Sequence, residues 1–114
     1  MAVLFFKKAV PATSSGNADL AGYAGETVYY EPQGFAPRRL EVFSTDDFTA
    51  GTLTVTLYKN GVAVSGGVVV LNDTTQRAAV QLSGLGYAPG DRMTVGWQSS
   101  GLAPTTADLV AIVS

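Results

Sequence analysis

The sequence predicts an all-β protein: a single jelly-roll-like antiparallel β-sandwich of about eight strands. Three observations carry this. Short stretches rich in β-branched and aromatic residues recur along the chain, separated by clusters of Gly, Pro, Asn and Asp. No window holds an i, i+3, i+4, i+7 apolar pattern without Gly, Pro or β-branched interruption, so helix signals are nearly absent. The chain has 114 residues, 46% of them hydrophobic and 14% charged, which fits one domain able to bury a core without metal or disulfide staples.

The expected strands cover residues 2–7, 26–31, 39–44, 52–59, 62–64 with 68–71 as one bent strand, 75–82, 92–98 and 107–113. The most legible is the hairpin LTVTLYKNGVAV at 53–64. Asn60-Gly61 suits a type I′ turn, because both central residues need positive φ. That turn sets Lys59 opposite Val62, Tyr58 opposite Ala63 and Leu57 opposite Val64. Leu53, Val55, Leu57, Val62 and Val64 then share a core face, while Thr54, Thr56, Tyr58 and Ala63 share a threonine-rich outer one. Ser65-Gly66-Gly67 interrupts the return strand and marks a bulge or second turn.

Two strands depart from one-sided alternation. Val3, Leu4, Phe5 and Phe6 at one end of the chain, and Leu109 to Val113 with Val110 and Ile112 at the other, are apolar on both faces. A strand apolar on both faces is covered on both. The cover is a loop of the same chain or a second subunit. Residues 9–25, AVPATSSGNADLAGYAG, have only Leu20 and Tyr23 as large apolar groups and read as a long loop over the sandwich or an arm that orders on a neighbour.

Visible chemistry is sparse. There is no Cys and no His, so disulfides, thiolate nucleophiles, Ser-His-Asp arrangements and the usual zinc sites are out of reach. We expect no catalytic residue, no cofactor and no metal. Asp46, Asp47, Asp73 and Asp91 sit in turn contexts and read as turn formers. A net charge of −2 with only isolated basic pairs gives no nucleic-acid footprint. No apolar stretch has the length of a membrane span, and the opening MAVLFFKK lacks the order of a secretory signal, so a soluble protein without a targeting segment is expected. Trp97 alternates with Val95 and Met93 and reads as core, whereas Tyr58 faces outward and Tyr29 and Tyr30 face opposite ways.

Three runs, GTLTVTLYKNGVAV, APGDRMTVGWQSSG and TTADLVAIVS, resemble β-sandwich or jelly-roll modules of tailed-phage virion proteins, among them head decoration (cement), head-fibre and tail-fibre proteins. The shared pattern is a [YV]-x-N-G turn, an x-x-G-D-R-[ML]-x-V strand start and a T-x-A-D-[LV]-x-V final strand, within residues 51–114. The resemblance implies a structural virion protein, foremost a head decoration protein that binds and stabilises the capsid shell. It further implies a homo-oligomer such as a trimer, contact with a major capsid protein, assembly in the host cytoplasm and residence on the capsid surface. Val3, Leu4, Phe5, Phe6, Pro11, Leu20, Tyr23, Val110 and Ile112 are the expected oligomer or capsid contacts. The alternative is a carbohydrate- or receptor-binding module of a fibre, using Tyr29, Tyr58 or loop aromatics.

Overall fold

The structure is a computed structural model and describes residues 3–114. Ten strands make two antiparallel sheets packed face to face, as the alternation demands. They are β1 (Leu4–Ala9), β2 (Ser14–Asn17), β3 (Asp19–Leu20), β4 (Tyr29–Tyr30), β5 (Arg39–Ser44), β6 (Ala50–Lys59), β7 (Val62–Asn72), β8 (Arg77–Gln81), β9 (Arg92–Ala103) and β10 (Asp108–Val113). Sheet A runs β3-β1-β10-β5-β8; sheet B runs β2-β9-β6-β7, with β4 also on β9.

The connectivity is that of a folded ribbon. The pairs β1/β2, β5/β6, β7/β8 and β9/β10 each cross from one sheet to the other. Their partners match on both sides: β10 lies between β1 and β5 while β9 lies between β2 and β6. This is the expected jelly-roll-like sandwich, with short extra strands at its edges.

Alternation decides what is inside. Phe6, Leu40, Val42, Leu53, Val55, Leu57, Leu71, Met93, Val95, Leu109 and Val113 are fully buried between the sheets. Each such side chain contributes roughly 1.5–3 kcal/mol relative to leaving it in water. Phe6 was expected at a subunit contact, but its alternate position in β1 turns it into this core, where no partner reaches it. Leu4 is half-buried and packs on the same core.

Several expected boundaries shift. Of the first expected strand, Ala2 lies outside the described residues, and β1 runs on to Ala9. The strand expected at 26–31 shrinks to Tyr29–Tyr30, while β9 extends to Ala103. Residues 9–25, expected as a long loop over the sandwich or an arm that orders on a neighbour, contain two short strands. Their backbone is claimed by both sheets, Ser14–Asn17 pairing with β9 and Asp19–Leu20 with β1. Ala18, fully buried, marks the crossing.

The Asn60-Gly61 turn has the expected left-handed φ values, 52° and 81°, and Lys59↔Val62 and Tyr58↔Ala63 pair as anticipated. The register then shifts. Thr56 pairs with Val68, so residues 64–67 bulge opposite Leu57 and the Leu57–Val64 pair does not form. Val62 lies beyond the end of the core and is 68% exposed, contrary to its expected burial.

Candidate functional site

The outer face of sheet B holds a shallow groove of about 270 Å³, built where β2, β9 and β6 run side by side. Ser15 and Asn17 come from β2, Gly96 and Gln98 from β9, and Thr54, Thr56 and Tyr58 from β6. The ladder sets these in rows: Ser15, Gln98 and Thr54 in one, Asn17, Gly96 and Thr56 in the next. No Asp, Glu, Lys or Arg lines the groove. The side chains of Asn17, Gln98, Thr54 and Thr56 make no hydrogen bond to another described residue. Their amides and hydroxyls are free donors and acceptors on an uncharged surface.

Tyr58 is the tyrosine that lines the groove; Tyr30, opposite Arg92 further along β9, is exposed on the same face of the sheet. Tyr58 pairs with Thr94 in the ladder, and its ring leans diagonally over Gly96. A Cβ at position 96 would stand 2.7 Å from Tyr58 Cε2 and 3.6 Å from Asn17 Oδ1. Gly96 therefore leaves space for the ring, which a side chain would displace. Sequence reasoning passed over this residue, although a lone Gly inside the strand MTVGWQ signals a close approach.

The tyrosine is also held from behind. Its backbone carbonyl accepts a hydrogen bond from the Tyr87 hydroxyl at 3.0 Å. Burial, and then the nearby Asp91 carboxylate, push the Tyr87 hydroxyl far above the ordinary tyrosine range, so it stays a donor. Asn60 Nδ2 donates to Asp91 Oδ1 at 3.0 Å, the Arg92 amide donates to Asn60 Oδ1 at 2.8 Å, and Lys59 sits 3.7 Å from Asp91. The Asn60 bond first, then the Ala88 amide and Lys59, hold the Asp91 carboxyl below its usual range. The hairpin tip is thereby tied to the start of β9.

Beneath the groove, Trp97 is in the core, as its alternation indicates. Its indole lies under Gly16, and Nε1 is buried without a partner among the described residues.

The expected contact residues lie elsewhere. Val3, Leu4, Phe5, Leu20 and Tyr23 converge with Tyr29 around a hollow of about 260 Å³ at the β1–β3 edge. Val110 and Ile112 are half-buried on the outer face of sheet A, where Ile112 pairs with Phe5. Pro11 is exposed and remote from that cluster; its carbonyl accepts from Ser99 Oγ at 2.7 Å. Of the acidic turn residues, Asp91 Oδ2 accepts from the nearby Ala88 amide as a turn former does, whereas Asp46 Oδ2 accepts from the Thr106 hydroxyl of a distant turn. Among the described residues no three Asp, Glu, His or Cys side chains gather to hold a metal ion.

The fold is a two-sheet antiparallel β-sandwich with a shallow uncharged groove on one outer face. Among solved structures, the chain is similar to the carbohydrate-binding module CBM36 in complex with calcium and xylotriose. The TM-score is 0.50 at 20% identity, over 100% of this chain and 98% of that one, which is a likeness of fold. No protein-family description and no curated protein matches the chain.

Proposed function

We propose that the chain is a non-catalytic carbohydrate-binding module that seats an uncharged glycan on the outer face of sheet B. The observation that carries this is the Tyr58 ring, poised over Gly96 on a surface of unpaired Asn17, Gln98, Thr54 and Thr56 side chains and no charge. A sugar ring presents apolar C–H groups on its faces and hydroxyls around its rim. An aromatic ring takes the first, and amides and hydroxyls take the second. The absence of charge favours a neutral polysaccharide over a uronic-acid or sulfated one. A groove of about 270 Å³ sits just below the usual range for small-molecule pockets and suits a short stretch of chain. The shared fold with a module solved with xylotriose supports the reading and makes that trisaccharide the first probe. Calcium is not carried over, since the described residues offer no such cluster.

The test is calorimetry and affinity electrophoresis against neutral and acidic glycans, with wild-type protein and Tyr58→Ala. Binding to a neutral glycan, lost in a folded Tyr58→Ala protein, is the expected result. Silence across all neutral glycans refutes the proposal.

A second reading has its own observation. The outer face of sheet A presents Phe5, 48% exposed, beside Ile112, Val110 and Phe43. Around them lie the Lys7–Asp108 pair and the Arg39–Glu41–Arg77 cluster. An apolar centre with a charged rim suits a protein contact. It supports docking on a virion shell as a decoration protein. Cosedimentation with particles, abolished by Phe5→Asp, tests that; cosedimentation unaffected by the substitution refutes it.

A further inference from the structure

Sheet B ends in an unprotected strand. Its other boundary strand, β2, has four residues, and the flank of sheet A next to β7 is β8, which opens on the ion-paired Arg77. By contrast β7 spans 11 residues, VAVSGGVVVLN, with no charge and no proline. Natural sheet edges are blunted by charges, prolines, bulges or shortness. The bulge at 64–67 twists only the first half of β7, leaving Val68–Asn72 in regular ladder with β6. On that regular run Val68 and Val70 point outward, 43% and 45% exposed. Their backbone groups on the side away from β6 pair with no strand among the described residues.

We infer that β7 is a strand-pairing edge and that its partner is β7 of a second copy of this chain. A strand carrying no charge meets itself without repulsion, and an antiparallel pair about a two-fold axis is self-complementary. With the axis at Val69, Val68 of each copy lies opposite Val70 of the other. Both exposed valines are then covered by β-branched cross-strand neighbours. That axis stands perpendicular to the sheet, so the two sheets B fuse into one continuous sheet with both outer faces on the same side. The two β9 strands come to lie five strand spacings apart, about 24 Å. If the groove binds glycan as proposed above, one long chain reaches both grooves, and polymer is held more tightly than trisaccharide.

Analytical ultracentrifugation of the wild-type protein should show a concentration-dependent dimer. In Val68→Lys/Val70→Lys, like charges would face each other, and the dimer dissociation constant should rise about tenfold or more. Hydrogen exchange of wild type, which needs no variant to fold, should show the outward-facing amides of Val68 and Val70 gaining protection as concentration rises, while that of Asn72 is already bonded to the Thr75 carbonyl. A monomer at every attainable concentration, or protection at Val68 and Val70 that ignores concentration, overturns the inference. Sugar binding separates the two ideas: a dimer that binds no glycan keeps the pairing and removes the groove's assignment. A polymer advantage that vanishes in the lysine variant, with trisaccharide affinity unchanged, supports both.

Discussion

Gly96→Ala places a methyl group where the Tyr58 ring now lies. The new Cβ would be 2.7 Å from Tyr58 Cε2, and ordinary contact between carbons is about 3.5 Å or more, so the ring must give by about 0.8 Å. The backbone has no objection, because Gly96 is not among the residues with positive φ and sits in a ladder on both sides. Alanine also removes some of the entropic penalty of glycine in a strand, about 0.5–1 kcal/mol. The change in stability should therefore be small. Binding should respond more. A sugar ring covering the exposed side of Tyr58 removes about 80 Å² of apolar surface, or about 2 kcal/mol at ~25 cal/mol/Å². A tilted ring should lose roughly half of this or more, about 1–2 kcal/mol, a five- to thirty-fold weaker Kd. Calorimetry with the best neutral ligand, beside a thermal melt, reads both quantities. Wild-type affinity in Gly96→Ala, with Tyr58→Ala inactive, would show that ring placement does not matter. A protein that fails to fold would show that the strand backbone was misjudged.

Further predictions concern stability. Gly51 has φ +84°, and a Cβ there would overlap the Gly101 carbonyl, which is backbone and has nowhere to go; Gly51→Ala should cost about 3 kcal/mol or more, read by urea melts. The Tyr87 hydroxyl is raised in the folded state above its unfolded value of about 10, so the stability linked to it is complete below about pH 10 and drains away above, as the unfolded chain ionises. Tyr87→Phe should cost about 1 kcal/mol at neutral pH and flatten that alkaline decline. Asp91 has the opposite sign: its carboxyl is lowered, so its contribution is present above about pH 4 and lost below, and Asp91→Asn should blunt the acid limb of a pH–stability curve. Val62→Thr at the hairpin tip should shift stability by less than about 0.5 kcal/mol, because the side chain is already in water.

The two sheets were legible because their signal is local and periodic. Leu53, Val55 and Leu57 announce a buried face by alternation alone, and Asn60-Gly61 sets its turn because few other pairs accept positive φ twice. What lay hidden depends on which strand stands beside which. Val62 and Val64 alternate correctly, yet the bulge at 64–67 moves the register of everything that follows. Phe6 shares its apolar run with Phe5, and only the pairing with β10 says which of the two points inward. Residues 14–20 carry too few large side chains to read as strands; their place is fixed by backbone bonds to β9 and β1. Removing 9–25 should therefore unravel an edge of both sheets, and urea melts would register the loss.

The groove was half legible for the same reason. Register puts Tyr58 outside, and threonines beside it read as a solvated wall. That wall becomes a candidate site only when β2 and β9 lay Asn17, Gly96 and Gln98 against it, from parts of the sequence about 40 to 80 residues apart. No motif spans such distances without an alignment. The hairpin supplies Tyr58, the glycine of a different strand supplies its resting place, and Tyr87 anchors it from the core side. In the proposed glycan complex, a fixed backbone under Tyr58 and a defined gap for its ring would leave little freedom to lose when a sugar stacks on it.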